Sequence, residues 1–370
     1  MSKRNRLHSI CPYFAMFPER FVQENVVRYS RKGDWVLDPF SGRGTTILQS
    51  LLMGRNAAGL DINPVAYCIS GAKAHLPHIG STLRRIAELT RQYAIADQDT
   101  LEEERRALPP FFKRAFHHDT LKQILFIRAR LGWRQSNVDR LIAALVLGSL
   151  HGEMDKSSSY FSNQMPRTIS LKPDYSLAYW RKHKLWPKKR DVFSMLTNRA
   201  ALRLNGNAEL PKGRMRLQDA RGANQIYPDL TGKVRLVVTS PPYLDVTNFE
   251  EDQWLRLWFL GSQPYPTYRT LAGDDRHTCA SKYWRFLTEA WQGLSKLMAP
   301  QSVIVCRIGG KGLNVSGLSA GMESSLKAAF PRGRFPTRPV VSRLKNRQTQ
   351  SFAPMASGCL FEVDYTFKTS

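Results

Sequence analysis

The chain has 370 residues, of which 42% are hydrophobic, so it is long enough to bury a substantial core. Its 55 Lys and Arg residues outnumber its 30 Asp and Glu residues, which gives a formal net charge of +25. Such an excess favours a polyanionic partner, with nucleic acid ahead of an anionic membrane surface. The sequence has no apolar run of about 18 residues, no lipidation motif and no apolar segment after its basic N-terminus. We therefore expect an intracellular protein with no membrane association.

The cysteines are scattered along the chain without a C-x-x-C pair, at Cys11, Cys68, Cys279, Cys306 and Cys359. This spacing argues against a zinc ribbon and against a disulfide framework. We expect reduced thiols and no metal site.

A strand, a glycine loop and a helix are predicted near the N-terminus. Trp35-Val36-Leu37 is typical of a short buried strand, and it leads into Asp38-Pro39-Phe40-Ser41-Gly42-Arg43-Gly44-Thr45 and a helix with one apolar face. Residues 56–64 supply a second strand that ends at Asp61. A glycine loop followed about 20 residues later by an acidic residue is typical of dinucleotide or nucleoside binding.

The loop residues favour a ligand that carries both an ammonium and a carboxylate. The glycines let the backbone approach a ligand closely, and the following helix N-terminus favours a carboxylate or phosphate. The loop lacks G-x-x-x-x-G-K-[ST], and Asp38 would repel a pyrophosphate. S-adenosylmethionine meets these requirements if Asp38 faces its positive methionine end and Asp61 accepts hydrogen bonds from its ribose. A turn or helix-cap aspartate is the alternative for Asp38.

Residues 76–205 interrupt the α/β pattern with predicted helices at 82–93, 101–116, 119–131 and 138–150. Between residues 166 and 216 there are 13 Lys or Arg residues against three acidic residues. The neighbouring aromatic residues are Tyr160, Phe161, Tyr175, Tyr179, Trp180 and Trp186. This mixture suits phosphate contacts and base stacking, although a solvated basic face with core aromatic residues is the alternative. The predicted nucleic-acid contacts are Arg181, Lys182, Lys184, Lys188, Lys189 and Arg190.

The α/β pattern resumes at residues 216–221, where a strand is predicted to end at Asp219. The Asp219 carboxylate could accept a hydrogen bond from the adenine amine of the same cofactor; a plain turn aspartate is the alternative. The next predicted strand runs over residues 234–238 and ends near Ser240, because Pro241 and Pro242 cannot continue its hydrogen-bond ladder. Prolines donate no N–H, so carbonyl groups here can face a pocket as acceptors beside the ring of Tyr243. Acceptors beside a ring suit a planar base with an exocyclic amine; a plain rigid loop is the alternative.

Further elements are predicted towards the C-terminus: helices at 249–260 and 283–298, a buried strand at 302–308, and a closing edge strand at 360–367. Basic residues without an acidic neighbour occupy 332–347. That basic run is either a second phosphate contact or a solvated loop.

Three motifs together resemble the DNA amino-methyltransferases, above all their cytosine-N4 branch. They are residues 38–45, Gly59-Leu60-Asp61-Ile62-Asn63-Pro64, and Thr239-Ser240-Pro241-Pro242-Tyr243. The resemblance covers roughly residues 10–75 and 215–310. It implies an α/β protein with a Rossmann-like, seven-stranded, mostly parallel methyltransferase sheet, S-adenosylmethionine as cofactor and a base flipped out of its duplex.

On this resemblance, residues 1–75 and 206–370 are the two parts of the catalytic domain. The mostly helical insert, residues 76–205, lies outside the resemblance, and its charge and position predict that it recognises the target. The implied cofactor residues are Phe14, Phe17, Asp38, Pro39, Phe40, Gly42, Gly44, Thr45, Asp61, Ile62, Asp219 and Ala220. The implied catalytic residues are Ser240, Pro241, Pro242 and Tyr243.

The residues of the last motif fit methylation of an amine. Ser240 Oγ and the Pro241 carbonyl are expected to accept hydrogen bonds from the amine, while Tyr243 stacks on the base. Serine at this position favours cytosine over adenine. No Pro-Cys motif offers the nucleophile that methylation of cytosine C5 requires.

The sequence thus predicts a site-specific methyltransferase of double-stranded DNA, with cytosine N4 as the favoured target. We expect it in the cytoplasm of a prokaryote, associated with the nucleoid, with a restriction endonuclease as a candidate partner. Adenine-N6 methylation, RNA base-amine methylation and non-catalytic nucleic-acid binding on the same scaffold are the alternatives. The sequence predicts no oligomeric state.

Overall fold

The computed structural model describes residues 5–13, 18–154, 159–164, 172–205, 210–244, 249–267, 279–310, 313–343, 359 and 361–370. The chain forms two compact units. The helical unit comprises residues 1–14, 76–208 and 249–268, and the sheet unit comprises residues 15–75, 209–248 and 269–370. Within the described ranges, no helix is both long enough and apolar enough to cross a membrane.

The sheet unit is built on seven strands. They are β1 (Trp35–Asp38), β2 (Asn56–Asp61), β3 (Gly213–Leu217), β4 (Val234–Thr239), β5 (Met298–Ile308), β6 (Val340–Arg343) and β7 (Phe361–Lys368). Their order across the sheet is β3-β2-β1-β4-β5-β7-β6. Strands β1 to β5 run parallel, whereas β7 is antiparallel to both β5 and β6. The predicted α/β class and seven-stranded, mostly parallel sheet are confirmed.

Helices cover both faces of this sheet. The helices of the sheet unit are α1 (Glu19–Tyr29), α2 (Thr45–Leu52), α3 (Pro64–Ala74), α11 (Ala223–Ile226), α13 (Ala280–Ser295) and α14 (Val315–Ala329). Leu236 and Val238 of β4 share an apolar cluster with Val22 of α1, whereas Val237 belongs to the cluster that contains Trp291 of α13. Apart from the exposed Arg235, residues 234–238 of this strand are apolar because they are buried on both of its faces.

The helical unit contains α4 (Ile79–Ala94), α5 (Gln98–Ala107), α6 (Pro110–Ala115), α7 (His118–Arg130), α8 (Asn137–Leu147), α9 (Pro173–Lys182), α10 (Val192–Leu204) and α12 (Phe249–Phe259). Aromatic rings form part of its core. The ring centroid of Phe111 lies 5.4 Å from that of Trp180 and 4.9 Å from that of Trp254, and Phe112 lies 4.4 Å from Trp258. These contacts join α6, α9 and α12.

The unit boundaries differ from the predicted domain boundaries at three places. The helical unit includes residues 1–14, 206–208 and 249–268, whereas the prediction assigned all three to the catalytic domain. For α12 the physical reason is its apolar face: Trp254 and Trp258 pack against Phe111 and Phe112. An apolar helix face indicates burial without indicating which core it joins.

Two predicted elements were wrong in detail. The helix predicted over residues 101–116 is interrupted after Ala107, because Pro109 and Pro110 follow and Leu108 adopts an extended backbone before them. The predicted closing edge strand, β7, lies inside the sheet. Part of the basic run forms β6, and β6 takes the edge position beside β7.

A stability test follows from the packing of β3 against α3. A Cβ atom built on Gly213 would lie 2.2 Å from the backbone oxygen of Ala74, and no side-chain rotation can relieve a clash with backbone. We expect Gly213→Ala to lower the free energy of unfolding by about 1–3 kcal/mol in urea denaturation. Gly222→Ala is the control, since its nearest neighbouring atom is 4.0 Å away. Equal effects of the two substitutions would contradict this account.

Candidate active site

The predicted cofactor and catalytic residues of the sheet unit meet at one edge of the sheet. Strands β3, β2, β1 and β4 are adjacent and parallel, so their carboxyl ends lie side by side. β1 ends at Asp38, β2 at Asp61 and β4 at Thr239, and Asp219 follows two residues after β3. Open α/β sheets bind ligands at this edge.

The glycine loop between β1 and α2 has a backbone that requires glycine at two positions. Gly42 has φ +50° and Gly44, the residue that caps α2, has φ +73°. The amide of Gly42 donates to Asp61 Oδ2 at 2.8 Å, and the hydroxyl of Ser70 donates to the Gly42 carbonyl at 2.8 Å. The loop that follows β1 is therefore tied to the end of β2.

Arg43, within the same loop, is buried and was not predicted as a site residue. Its guanidinium donates to Glu19 Oε1 of α1 at 2.9 Å and to the Thr45 hydroxyl at 3.1 Å. The ammonium of Lys73, on α3, donates to the Arg43 carbonyl. The side chain of Arg43 thus connects the loop to α1 and is not a candidate ligand contact. No local sequence signal indicates this role.

Asp38 is buried, and its two carboxylate oxygens differ. Oδ1 accepts hydrogen bonds from the Thr239 hydroxyl at 2.7 Å and from the Phe40 amide at 3.1 Å. Oδ2 has no hydrogen-bond partner among the residues that the structure describes. The Thr46 hydroxyl nearby donates to the Val238 carbonyl at 2.9 Å. Burial raises the pKa of Asp38 from 3.8 to about 7, although its hydrogen bond with Thr239 opposes the shift.

Asp61 is held by the backbone around it. Its Oδ1 accepts from the Asn63 amide at 2.9 Å, in addition to the bond that Oδ2 makes with Gly42. Burial raises its pKa to about 6, against the lowering effect of these amides. The side chain of the adjacent Ile62 is 40% exposed. This arrangement leaves an apolar surface next to Asp61.

Asp219 and Ala220 lie in a short turn after β3. Asp219 accepts from the backbone amide of Arg221 at 2.9 Å and from its guanidinium at 3.1 and 2.9 Å. Arg221 in turn contacts Glu289 at 3.2 Å. Ala220 is buried. A cofactor amine that donated to Asp219 would share the Asp219 carboxylate with the guanidinium of Arg221.

The segment from Ser240 to Tyr243 follows β4 directly, next to Asp38 on β1. Pro241 is buried, and the side chains of Ser240, Pro242 and Tyr243 are partly exposed. The Ser240 hydroxyl donates a hydrogen bond to the Tyr243 hydroxyl at 3.5 Å. The Tyr243 hydroxyl in turn donates to Glu362 Oε1 at 2.9 Å. Burial and the negative charge of Glu362 hold the pKa of Tyr243 well above its ordinary value. Tyr243 is therefore a protonated hydrogen-bond donor.

Glu362 on β7 was missed in the sequence, as was its neighbour Arg307 at the end of β5. The guanidinium of Arg307 lies 3.6 Å from Glu362 and binds both oxygens of Asp364 at 2.6 and 2.8 Å. It also lies 4.2 Å from the ring centroid of Phe21. Alternation along β7 predicted a strand, but it could not indicate that Glu362 reaches Tyr243, 119 residues away in the chain.

The six predicted nucleic-acid residues lie at the end of α9 and in the segment before α10, in the helical unit. Arg181, Lys182, Lys184, Lys188 and Lys189 are exposed, but Lys189 is ion-paired with Asp119 at 2.7 Å. The six aromatic residues predicted with this segment differ in burial. Phe161 and Trp180 are buried, Tyr160 and Tyr179 are half-buried, and Tyr175 is 55% and Trp186 70% exposed. The guanidinium group of Arg114 lies over the ring of Trp186, with its Cζ atom 3.5 Å from the ring centroid.

One group of potential metal ligands occurs among the described residues. The ligand atoms of His117, His118 and Asp119, at the start of α7, lie within 4.8 Å of one another. The hydrogen bond from Lys189 holds the pKa of Asp119 below its ordinary value. Nδ1 of His117 accepts a hydrogen bond from the Asp119 amide as the helix cap. These contacts stabilise the start of α7, and we assign no metal there.

The structure therefore brings together the predicted residues from Asp38 to Thr45, Asp61 and Ile62, Asp219 and Ala220, and Ser240 to Tyr243, all within the sheet unit. The predicted cofactor residues Phe14 and Phe17 lie outside the described residues. The roles assigned to all these residues stay predictions.

Comparison with known proteins gives two kinds of match. A sequence model of the family described as DNA methylase, of the N6/N4 type, matches residues 2–70. The Type II methyltransferase M.MjaII of Methanocaldococcus jannaschii is 27% identical over 119 residues, which cover 31% of this chain and 22% of that protein. The orphan methyltransferase M.BamHII of Bacillus amyloliquefaciens is 39% identical over 54 residues, 15% of this chain and 20% of that protein. The matched part thus spans about a fifth of the length of these relatives.

Among solved structures, the rRNA methyltransferase aviRa of Streptomyces viridochromogenes aligns with a TM-score of 0.37 and 11% identity, covering 98% of this chain and 91% of that chain. The fold assignment rests on the strand order described above.

The raised pKa of Asp38 predicts how stability depends on pH. In the unfolded chain this carboxyl group ionises near 3.8, whereas in the folded chain it keeps its proton up to about 7. Wild-type stability relative to Asp38→Asn is therefore expected to fall as pH rises from about 4 to 7, by at most about 1.4 kcal/mol per pH unit. Urea denaturation of both proteins at several pH values measures this difference.

Asp229→Asn is the control for that experiment. Arg214 lowers the pKa of Asp229 below its ordinary value, so this exposed carboxylate is expected to contribute a small effect of opposite sign, present at neutral pH and lost in acid. A difference between wild type and Asp38→Asn that does not change with pH would show that the Asp38 carboxyl group is not perturbed by burial.

Proposed function

We propose that this protein transfers a methyl group from S-adenosylmethionine to the exocyclic amine of a base in DNA, because a sequence model of the N6/N4 DNA methylase family matches residues 2–70. The observation that carries the proposal is the adjacency of two half-sites on one sheet edge. The carboxylates and glycine loop that follow β1 and β2 form the first half-site. Ser240 to Tyr243 form the second, and the hydrogen bond between Thr239 and Asp38 joins them.

The first half-site has the features that S-adenosylmethionine requires. Asp38 Oδ2, buried and without a hydrogen-bond partner in the described part of the chain, fits an ammonium group nearby. Gly42 is partly exposed in the turn that leads into the N-terminus of α2, and a helix N-terminus suits a carboxylate. Asp61 and the exposed Ile62 offer acceptors for ribose hydroxyls and an apolar surface for a base. When bound, the cofactor would supply an electrophilic methyl group.

The second half-site has the features that a base amine requires. An exocyclic amine conjugated to its ring is a poor nucleophile. Groups that accept hydrogen bonds from its N–H groups increase the electron density on the nitrogen. Ser240 Oγ and the Pro241 carbonyl are the proposed acceptors. The ring of Tyr243 is proposed to stack on the base, and its hydrogen bond to Glu362 limits the orientations that the ring can adopt. Positioning amine and methyl group in line then lowers the barrier.

We propose cytosine N4 as the target, on the support of serine at position 240. The base would have to leave its duplex to reach the sheet edge. The relatives M.MjaII and M.BamHII are named as a Type II and an orphan methyltransferase, so a restriction endonuclease partner is an open part of the proposal. A DNA substrate would place the protein with the nucleoid in the cytoplasm of a prokaryote.

Nucleoside mass spectrometry tests the proposed reaction. We expect DNA from methylation-deficient bacteria that express the protein to contain N4-methylcytosine. Purified protein should transfer labelled methyl groups to duplex DNA, and Ser240→Ala should lower the initial rate about 10- to 100-fold because the amine loses an acceptor. Ser295→Ala, at the C-terminal end of α13, is the matched control and should keep the wild-type rate.

Other products of the same experiment would redirect or reject the proposal. Detection of N6-methyladenine would support a DNA amino-methyltransferase whose target base is adenine rather than cytosine. Label in RNA but not in DNA would change the substrate. An absence of both methylated bases, together with an absence of S-adenosylmethionine binding in calorimetry, would indicate a non-catalytic nucleic-acid-binding protein.

We also propose that the exposed basic residues after α9 bind DNA phosphates. The logarithm of the binding constant for duplex DNA should fall with that of salt concentration by about 0.9 per neutralised phosphate. In a fluorescence-anisotropy titration, the triple variant Arg181→Gln/Lys182→Gln/Lys188→Gln should therefore give a shallower slope. The decrease should be about 0.9 for each of the one to three phosphate contacts that are lost. Lys189 is left unchanged because it is paired with Asp119.

The matched control for that titration removes the same number of charges from exposed positions of the sheet unit, as Arg31→Gln/Lys32→Gln/Lys233→Gln. It is expected to change the slope less than the first triple variant does. Equal flattening by both variants would mean that the positive charge acts through the net charge of the protein rather than through a local contact.

A further inference from the structure

The hydroxyl group of Tyr243 lies between two other polar groups that follow different strands. It donates to Glu362 Oε1 on β7 at 2.9 Å, and it accepts from Ser240 Oγ, just after β4, at 3.5 Å. Glu362, Tyr243 and Ser240 thus form a chain of hydrogen bonds that ends at the proposed amine acceptor.

The direction of this chain follows from the number of protons available. A carboxylate only accepts hydrogen bonds, and a tyrosine hydroxyl has one proton. Because Tyr243 gives its proton to Glu362, its oxygen accepts from Ser240, and the single hydroxyl proton of Ser240 points towards Tyr243. The lone pairs of Ser240 Oγ are then left for a donor outside this chain.

The surroundings of Glu362 keep it in place as an acceptor. Arg307 lies 3.6 Å from its second oxygen, and Arg307 is held by two hydrogen bonds to Asp364. The absence of a side chain at Gly309 makes room for the Tyr243 ring: a Cβ atom there would lie 3.1 Å from Tyr243 Cε2 and 2.3 Å from Cys359 Sγ. The ring is therefore closely packed on that side.

We propose that Glu362 is a positioning residue that makes Ser240 a hydrogen-bond acceptor and thereby selects a base with an exocyclic amine. An amine donates hydrogen bonds, so it matches lone pairs on Ser240 Oγ. A carbonyl oxygen at the same place on a base, as in thymine or uracil, has only lone pairs and meets no donor. This role rests on the proposed function, because Ser240 is assigned there as the amine acceptor.

Glu362→Gln tests the direction of the chain with little change in side-chain volume. An amide both donates and accepts, so its NH₂ group can donate to Tyr243, which allows Tyr243 to donate to Ser240 and turns the Ser240 proton towards the base. We expect kcat to fall about tenfold, with the dissociation constant of S-adenosylmethionine unchanged, since Glu362 acts on the amine half-site. Thr366→Val, on the same face of β7, is the matched control.

A double-mutant cycle decides whether Glu362 acts through Tyr243. Tyr243→Phe removes the hydroxyl that links the two ends of the chain, so Glu362→Gln should change kcat less than about twofold in that background. A tenfold loss in both backgrounds would overturn the proposal. A tenfold loss with Thr366→Val would overturn it as well, because the effect would then belong to β7 as a strand.

The same four proteins give a second measurement that does not depend on catalysis. If the hydrogen bond exists, the changes in Tm caused by Glu362→Gln and Tyr243→Phe should not add in the double variant. Additive Tm changes overturn the role of Glu362 whatever the activity. Wild-type protein that transfers no methyl group to any nucleic acid, with Tm changes that do not add, overturns the proposed function and the amine selectivity derived from it.

Discussion

The buried carboxyl group of Asp38 is the constraint on which the candidate site depends. It accepts hydrogen bonds from Thr239 of β4 and from the amide of Phe40, so it joins the glycine loop after β1 to the segment that contains Ser240. This connection adds to the pairing of β1 with β4 in fixing the position of each half-site relative to the other. Because one oxygen has no hydrogen-bond partner in the described structure, burial disfavours the ionised form and the pKa rises to about 7. Strong perturbation of this kind is concentrated at functional sites.

Apolar packing and other hydrogen bonds in the sheet unit offset the unfavourable free energy of burying the Asp38 carboxyl group. Strand β4, which leads into Ser240, packs apolar side chains on both faces, with α1 covering one face and α13 the other. Asp61 holds the loop through Gly42, and Arg43 fastens it to α1 through Glu19. The backbone of the loop is thus determined before a ligand binds, which lowers the conformational entropy lost on binding. The same holds at the second half-site, where Glu362 and Arg307 hold Tyr243.

The two units differ in how their aromatic residues are used. In the helical unit, Trp180 and Phe161 are core residues, so the alternative interpretation of the basic segment holds for them. Tyr175 and Trp186 are exposed among basic side chains, which is the arrangement that suits stacking. Sequence composition alone could not separate these two groups, because it reports residue types and not their burial.

The sequence by itself determined those features that depend on neighbouring residues. Glycine at 42 and 44, the acidic ends of β1 and β2, and the two prolines after β4 each have a local backbone reason. As motifs they carry the resemblance that implied the sheet and the candidate site residues. Tertiary structure alone decided that Glu362 reaches Tyr243, that Arg221 engages Asp219, that β7 lies inside the sheet, and that α12 joins the helical unit. Three of these depend on which distant strand or helix lies alongside, and periodicity shows that a face is buried without showing what covers it. The contact with Asp219 is local, but it depends on the turn that brings Arg221 back over the carboxylate.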